Sequence, residues 1–234
     1  IMAPTCPEAL DDELKAFALE TVKTVDSKIS TYHMADAVEA VAECGIKRIR
    51  LGSMEPDQFT DEVIDRLSKV EQLCEHFHLS LQSGCNETLA RMNRRYTTEQ
   101  YEEIVTAIRK SFPDSAITTD IMVGFAGESE EEFAESIDFY KEIGFARGHV
   151  FAYSKRAGTV AAALKNQVTP ANKDARAKLM GEAAKNCEEA FIKTQIGKTA
   201  TVLFETYKNG VLNLEITLNN YAEEKEVHHK NRQR

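Results

Sequence analysis

Apolar residues along this chain follow two periods that take turns. Four short runs rich in β-branched and aromatic residues, KRIRLGS (47–53), HLSLQS (78–83), AITTDIMVGF (116–125) and GHVFAYS (148–154), read as strands. Between them apolar positions recur every three or four residues. This predicts helices over 34–44, closed by Gly45, over 60–73 with Ile64, Leu67 and Val70 inward, and a short one over 86–93. Thr60 is a plausible cap for the second of these, with Phe59 and Ile64 placed as a hydrophobic staple. Thr97 with Gln100, and Ser129 with Glu132, have capping-box spacing, opening helices over 98–111 and 130–143, the second ending at Gly144. The inner stripe of the first is Tyr101, Ile104, Val105 and Ile108.

Strand centres near 50, 80, 120 and 150 leave room each time for a loop, a helix and a return, so the pattern predicts successive βαβ units and a parallel sheet. Residues 7–25 predict a further helix, with acids at its front. Residues 171–194 predict a long one with Ala175, Leu179, Ala183 and Phe191 toward one face. The tail differs: KTATVLFETYKNGVLNLEITL is rich in β-formers around Asn209-Gly210, a strong hairpin signal, and two strands alone do not make a stable module.

Composition narrows the function classes. With 234 residues, 42% of them apolar, the chain can bury a real core, and 29 Lys and Arg against 38 Asp and Glu give a net charge of −9. That balance disfavours nucleic-acid binding by bulk field, so an RNA contact needs a local basic patch. No run reaches the ~20 apolar residues that span a bilayer, and the opening IMAPTCPEALDDELK lacks signal-peptide order, so a cytoplasmic protein is expected. The five cysteines (Cys6, Cys44, Cys74, Cys85, Cys187) include no closely spaced pair, and the six histidines form no compact zinc pattern, although His76 and His78 would share a strand face.

The strand tips carry the polar and glycine-rich residues, and in parallel βα arrays those tips converge on one crevice. Ser53 and Glu55 could hold ribose hydroxyls or an ammonium, or could be a turn cap and a solvated acid. Gln82 and Ser83, followed by Gly84, suit either a polar ligand or neighbouring backbone. Arg94 and Arg95 beside Tyr96 could clamp a carboxylate or phosphate, or be a solvated face. Asp120 interrupts an apolar strand, so it is either bonded to Thr118 or a nearby arginine, or functional. Gly124 and Gly127 superficially suggest a phosphate cradle, but the acids at Glu128 and Glu130 to Glu132 already occupy the helix dipole, and no GK[ST] or GxGxxG is present.

Taken in order, RIRLGSMEP, HFHLSLQSGCNETLARMNRRYTTEQY, AITTDIMVGFAGESEEEF and HVFAYSKRAGT resemble the radical S-adenosylmethionine methylthiotransferases, whose runs read much like RLSSxxP, HLPLQSGS, MNRxYT, DxIVGFPGET and YSxRxGT. HFHLSLQSGC with MNRRYT most resembles the branch acting on threonylcarbamoyl-modified adenosine beside the tRNA anticodon. The resemblance implies an α/β fold: a partial parallel (βα) barrel of radical S-adenosylmethionine type over 36–196, then a truncated TRAM-like β segment over 197–234, with 1–35 unmatched. It implies S-adenosylmethionine and [4Fe-4S] clusters as cofactors and tRNA as partner. Carried over by position, Ser53, Glu55, Gln82, Ser83, Arg94, Asp120, Gly124, Gly127 and Tyr153 would line the S-adenosylmethionine side.

Two departures stand out. The family's C-x3-C-x2-C cluster loop and its second cysteine triad are absent, and Ala126 replaces the proline of GFPGE. A radical domain lacking the cluster loop lacks its electron donor. The expectation is therefore an incomplete, inactive tRNA methylthiotransferase, with a non-catalytic S-adenosylmethionine- or RNA-binding module as the alternative. A cluster-free enzyme using Asp120 or His78 in acid–base work is the last alternative.

Overall fold

The computed structural model describes residues 33–199 together with the backbone of two later strands. The helix expected over 7–25, and the turn at Asn209-Gly210, lie outside the described residues. A four-stranded parallel sheet forms the body, with strands β1 (Ser53–Met54), β2 (His76–Leu79), β3 (Ala116–Val123) and β4 (Arg147–Ala152) in the order β1-β2-β3-β4. Between and around them run α1 (Met34–Glu43), α2 (Asp61–Leu67), α3 (Asn86–Arg91), α4 (Thr98–Ser111), α5 (Glu130–Ile143), α6 (Val160–Ala163) and α7 (Pro170–Gln195). Each strand lies beside its predecessor in sequence, an arc of a (βα) barrel as expected. Strands β5 (Phe204–Lys208) and β6 (Val211–Leu214) pair antiparallel, as the hairpin signal predicts.

Local chemistry explains the boundaries. Both capping boxes form: Thr97 Oγ1 accepts from Gln100 N–H and Ser129 Oγ from Glu132 N–H, while the Gln100 and Glu132 side chains accept from the cap N–H groups. Gly144 ends α5 at φ 64, a left-handed position where a Cβ would be strained. Helix α2 is shorter than the apolar spacing implies, because Ser68 caps it and donates its hydroxyl to Asp65 O, leaving Val70 only half-buried.

One face of the sheet carries Phe77, Leu79, Leu81, Ile117, Ile121 and Val123, and meets Tyr101, Val105 and Ile108 of α4 and Phe133, Tyr140 and Ile143 of α5 in one core. Long helix α7 packs on β4 and α5, but its buried stripe is Arg176, Met180, Ala183 and Ala184. The stripe expected through Ala175 and Leu179 is wrong, since both are exposed. Arg176 decides the helix's rotation: its guanidinium is buried against Glu128 (2.7 Å) and Glu130 (2.6 Å), and turning it outward would strand Glu128 without a counter-charge.

The strand expected over 47–53 pairs at few positions. Ile49 bridges Leu73, then regular pairing resumes only at Ser53 and Met54. A second irregularity lies in β2. His78 aligns with Thr118 but Gln82 aligns with Ile121, so residues 79–81 contain one more residue than the facing strand, a bulge. Hydroxyls fill the broken ladder. Thr119 Oγ1 donates to Leu79 O (2.6 Å) and accepts from Leu81 N–H (3.0 Å), Tyr101 donates to Leu79 O (3.0 Å), and Tyr96 donates to Ser80 O (2.7 Å) and Leu81 O (3.0 Å). Burial pushes both phenols above their usual range, so they remain donors.

Candidate functional site

The bulge releases the end of β2 from the sheet's alternation. Gln82 leaves it at φ 63, a conformation that costs a non-glycine residue about 1–2 kcal/mol. Its backbone is still held by Asp120 O and Met122 N–H at 2.9 Å each. Gly84 follows, pressed so closely on α5 that an added Cβ would lie 2.8 Å from Ser136 O, while its N–H reaches Ser136 Oγ at 2.8 Å. The close approach expected of this glycine is thus real.

Two adjoining cavities open at the carboxyl ends of the strands. The first, about 450 Å³, is lined by Ser53, Met54, Glu55, Asp57, Gln58 and the loop Asn93 to Tyr96. The second, about 550 Å³, is walled by Gln82, Arg91, Met92, Met122, Phe125, Tyr153 and the α6 region, and shares Asn93 and Arg94 with the first. Five of the residues singled out in sequence therefore converge: Ser53, Glu55, Gln82, Arg94 and Tyr153. Arg94 does clamp a carboxylate, but it belongs to Glu55, at 2.7 Å. The pair bridges the tip of β1 to the loop after α3 and leaves Arg94 a directed donor rather than a bare cation. Tyr153 packs edge-on against Phe125 with centroids 5.0 Å apart, and its buried hydroxyl has no hydrogen-bond partner among the described residues. Such an orphan in a cavity wall is where a ligand acceptor or donor would fit.

Four expected residues lie elsewhere. Ser83 is fully buried, its hydroxyl accepting from Cys85 N–H at 3.3 Å. Gly124 and Gly127 make a turn whose N–H groups are occupied, the first by the Glu128 carboxylate at 2.7 Å and the second by Asn166 O at 2.9 Å. The protein's own acid fills the anion position of that turn. Asp120 lies on the face of the sheet opposite the helix-covered core and lines neither cavity, and its partners are histidines instead of the expected Thr118 or arginine.

That other face holds a polar chain that spacing alone did not reveal. Arg50 Nε donates to His76 Nδ1 at 3.3 Å, the shorter of its two contacts; His76 Nε2 lies 3.1 Å from Thr118 Oγ1, which lies 2.9 Å from His78 Nδ1. His78 Nε2 is 3.3 Å from Asp120 Oδ2, off hydrogen-bond geometry, and His149 Nδ1 is 3.2 Å from Asp120 Oδ1. Burial, reinforced by the Arg50 cation and by His78, pushes His76 down to about 3, so it is neutral at ordinary pH. His149 escaped the sequence reading because its partner sits 29 residues away and only the β3–β4 register, Asp120 against His149, joins them.

The described cysteines do not suit an iron–sulfur cluster. Among the described residues, the one grouping able to surround an ion is Cys85, Glu87 and Glu135, with a single thiol. Burial pushes that thiol up to about 12, and it donates to Glu87 at 3.1 Å. A [4Fe-4S] cluster requires several thiolates at one place. No helix among the described residues is long and apolar enough to cross a membrane.

Comparison with known proteins gives these features a frame. The sequence profile of the Radical SAM superfamily matches residues 7–140, so most of the segment expected to be unmatched falls inside it. The tRNA-2-methylthio-N(6)-dimethylallyladenosine synthase of a Thermoanaerobacter species is 43% identical over 161 residues, 69% of this chain and 34% of that protein. Its namesake from Staphylococcus haemolyticus is 35% identical over 211 residues, 85% of this chain and 41% of that protein. The chain thus spans between a third and about two fifths of these relatives. Coproporphyrinogen III oxidase of Escherichia coli, described as a radical SAM enzyme, shares the fold with a TM-score of 0.52 at 17% identity over 60% of this chain and 32% of its own. Homologues are radical SAM tRNA methylthiotransferases, and the superfamily's cofactors are S-adenosylmethionine and a [4Fe-4S] cluster. With a profile match over more than half its length and the parallel arc that goes with it, the chain belongs to the Radical SAM superfamily.

Proposed function

We propose that this chain is the S-adenosylmethionine- and substrate-positioning arc of a tRNA methylthiotransferase. The observation that carries the proposal is the convergence of Gln82, Arg94 and Tyr153 on one cavity at the strand tips of a radical SAM fold. The cavity has the mixed character that a nucleoside with a charged tail demands: Met92, Met122, Phe125 and Leu164 for the flat apolar part, Arg94 and Gln82 for polar groups. The relatives' names favour N6-dimethylallyladenosine as the substrate base, whereas HFHLSLQSGC and MNRRYT favour the threonylcarbamoyl branch. We take the dimethylallyl reading, since it rests on matches along most of the chain. The hairpin β5–β6 belongs, on this reading, to a TRAM-like RNA-binding segment over 197–234.

The described thiols do not supply a cluster, so the role proposed is binding and orientation, and the isolated chain is inactive. Calorimetric titration of the 234-residue chain with S-adenosylmethionine tests this. Saturable heat, reduced in Arg94→Ala, is expected; no heat at millimolar ligand refutes it. Anaerobic treatment with iron and sulfide should leave the chain without cluster absorbance near 400 nm. Competition between anticodon stem-loops carrying dimethylallyl- or threonylcarbamoyl-adenosine decides the branch, and preference for the second overturns our choice.

A further inference from the structure

The polar chain on the sheet's second face ends at a half-exposed histidine, His149. Its direction is fixed at the Asp120 end, since a carboxylate only accepts. Arg50 reaches both ring nitrogens of His76, at 3.3 and 3.4 Å; His76 Nε2 meets the Thr118 hydroxyl, which meets His78 Nδ1, and His78 Nε2 faces Asp120 without a hydrogen bond. From the opposite side Asp120 Oδ1 accepts from His149, which fixes the His149 hydrogen on Nδ1. In the neutral ring this leaves His149 Nε2 as a lone-pair acceptor, on a side chain 54% exposed. Phe151, two residues on and on the same face, is 51% exposed, with its ring 6.5 Å from that of His149. Phe151 is also the register partner of Met122, which lines the second cavity, so the patch is continuous with it.

A half-exposed aromatic ring beside a preset acceptor, next to a nucleoside-sized cavity, is the apparatus for holding a flat base that carries an N–H donor. We propose that Phe151 and His149 position the substrate adenine: its ring stacks on Phe151 and its N6–H donates to His149 Nε2, with Asp120 as the positioning residue that keeps that nitrogen an acceptor. This rests on the tRNA methylthiotransferase reading and names the residues that would grip its substrate. The N6 nitrogen of a dimethylallyl-substituted adenine retains one hydrogen, so one acceptor is what it requires. S-adenosylmethionine also carries an adenine, and the experiment must separate the two.

Side-chain nitrogen NMR of the labelled 234-residue chain follows His149 directly while either an anticodon stem-loop containing N6-dimethylallyladenosine or S-adenosylmethionine is added. In the free chain His149 should be protonated on Nδ1 and bare on Nε2, and the stem-loop should shift the Nε2 signal. His149→Ala and Phe151→Leu should each weaken stem-loop binding about tenfold and leave S-adenosylmethionine binding within twofold. Both side chains are half-exposed, so circular dichroism should match the parent. Stem-loop binding that leaves the His149 signal and both variants' affinities unchanged overturns this inference alone. A shift produced by S-adenosylmethionine and not by RNA overturns the substrate assignment in favour of the cosubstrate's adenine. Failure of both ligands to bind overturns this inference together with the reading it rests on.

Discussion

Lowering the pH from 8 to 5 should destabilise the fold by about 2 kcal/mol through one side chain, His76. Its ring is 2% exposed and depressed to about 3 from an ordinary 6.5, first by burial and then by Arg50. In the unfolded chain the same ring binds a proton below about pH 6.5. Between the two values the unfolded state therefore holds more protons, so stability rises with pH in that window and is lost as the pH falls through it. Integrating from pH 8 to pH 5 gives RT ln(1 + 10^1.5), about 2 kcal/mol. Most carboxylates titrate below this window, so they contribute little there. Urea unfolding of the parent chain and of His76→Gln, followed by circular dichroism at pH 8, 6.5 and 5, isolates the effect. Glutamine is neutral throughout and can still donate to Thr118. The parent should lose about 2 kcal/mol and the variant a small fraction of that. Equal losses in both would refute the idea that His76 is held neutral by its surroundings.

Thr119→Val keeps the side chain's shape but leaves Leu79 O without one of its donors and Leu81 N–H unpaired at the bulge; a loss of about 1–3 kcal/mol in urea unfolding is expected. Gly84→Ala must push the β2 tip off α5 by several tenths of an ångström, costing about 1–3 kcal/mol and lowering the thermal midpoint. An unchanged midpoint would mean that the two elements are not in contact. Arg176→Met strands the buried Glu128 and should cost about 3–5 kcal/mol, whereas the double replacement with Glu128→Gln should recover part of it.

Legibility in the sequence followed the range of the interaction involved. Capping boxes at Thr97 and Ser129, the Gly144 stop and the helix-strand alternation are set within a few residues, and they stand where expected. The family runs likewise brought Ser53, Glu55, Gln82, Arg94 and Tyr153 to adjoining cavities. What escaped depends on register. HLSLQS reads as plain alternation, yet an extra residue against β3 re-aims Gln82, and only the hydroxyls of Tyr96, Tyr101 and Thr119, 15 to 40 residues distant, make that bulge affordable. The face of α7 departs from its apolar spacing because Arg176, held by acids some 46 to 48 residues earlier, sets the helix's rotation. Glu128 governs both the rotation of α7 and the turn at Gly124: one carboxylate bonds the turn and the helix together.

The strand order β1-β2-β3-β4 bears on biosynthesis. Because every strand docks on the one synthesised just before it, no pairing waits for a distant part of the chain. Each new strand and its helix can join as they leave the ribosome, and the search for partners never spans more than one unit. The growing rim passes from strand to strand, and each helix that follows a strand adds cover to the apolar side of the sheet. A nascent arc of this kind gains cover for its greasy side one helix at a time.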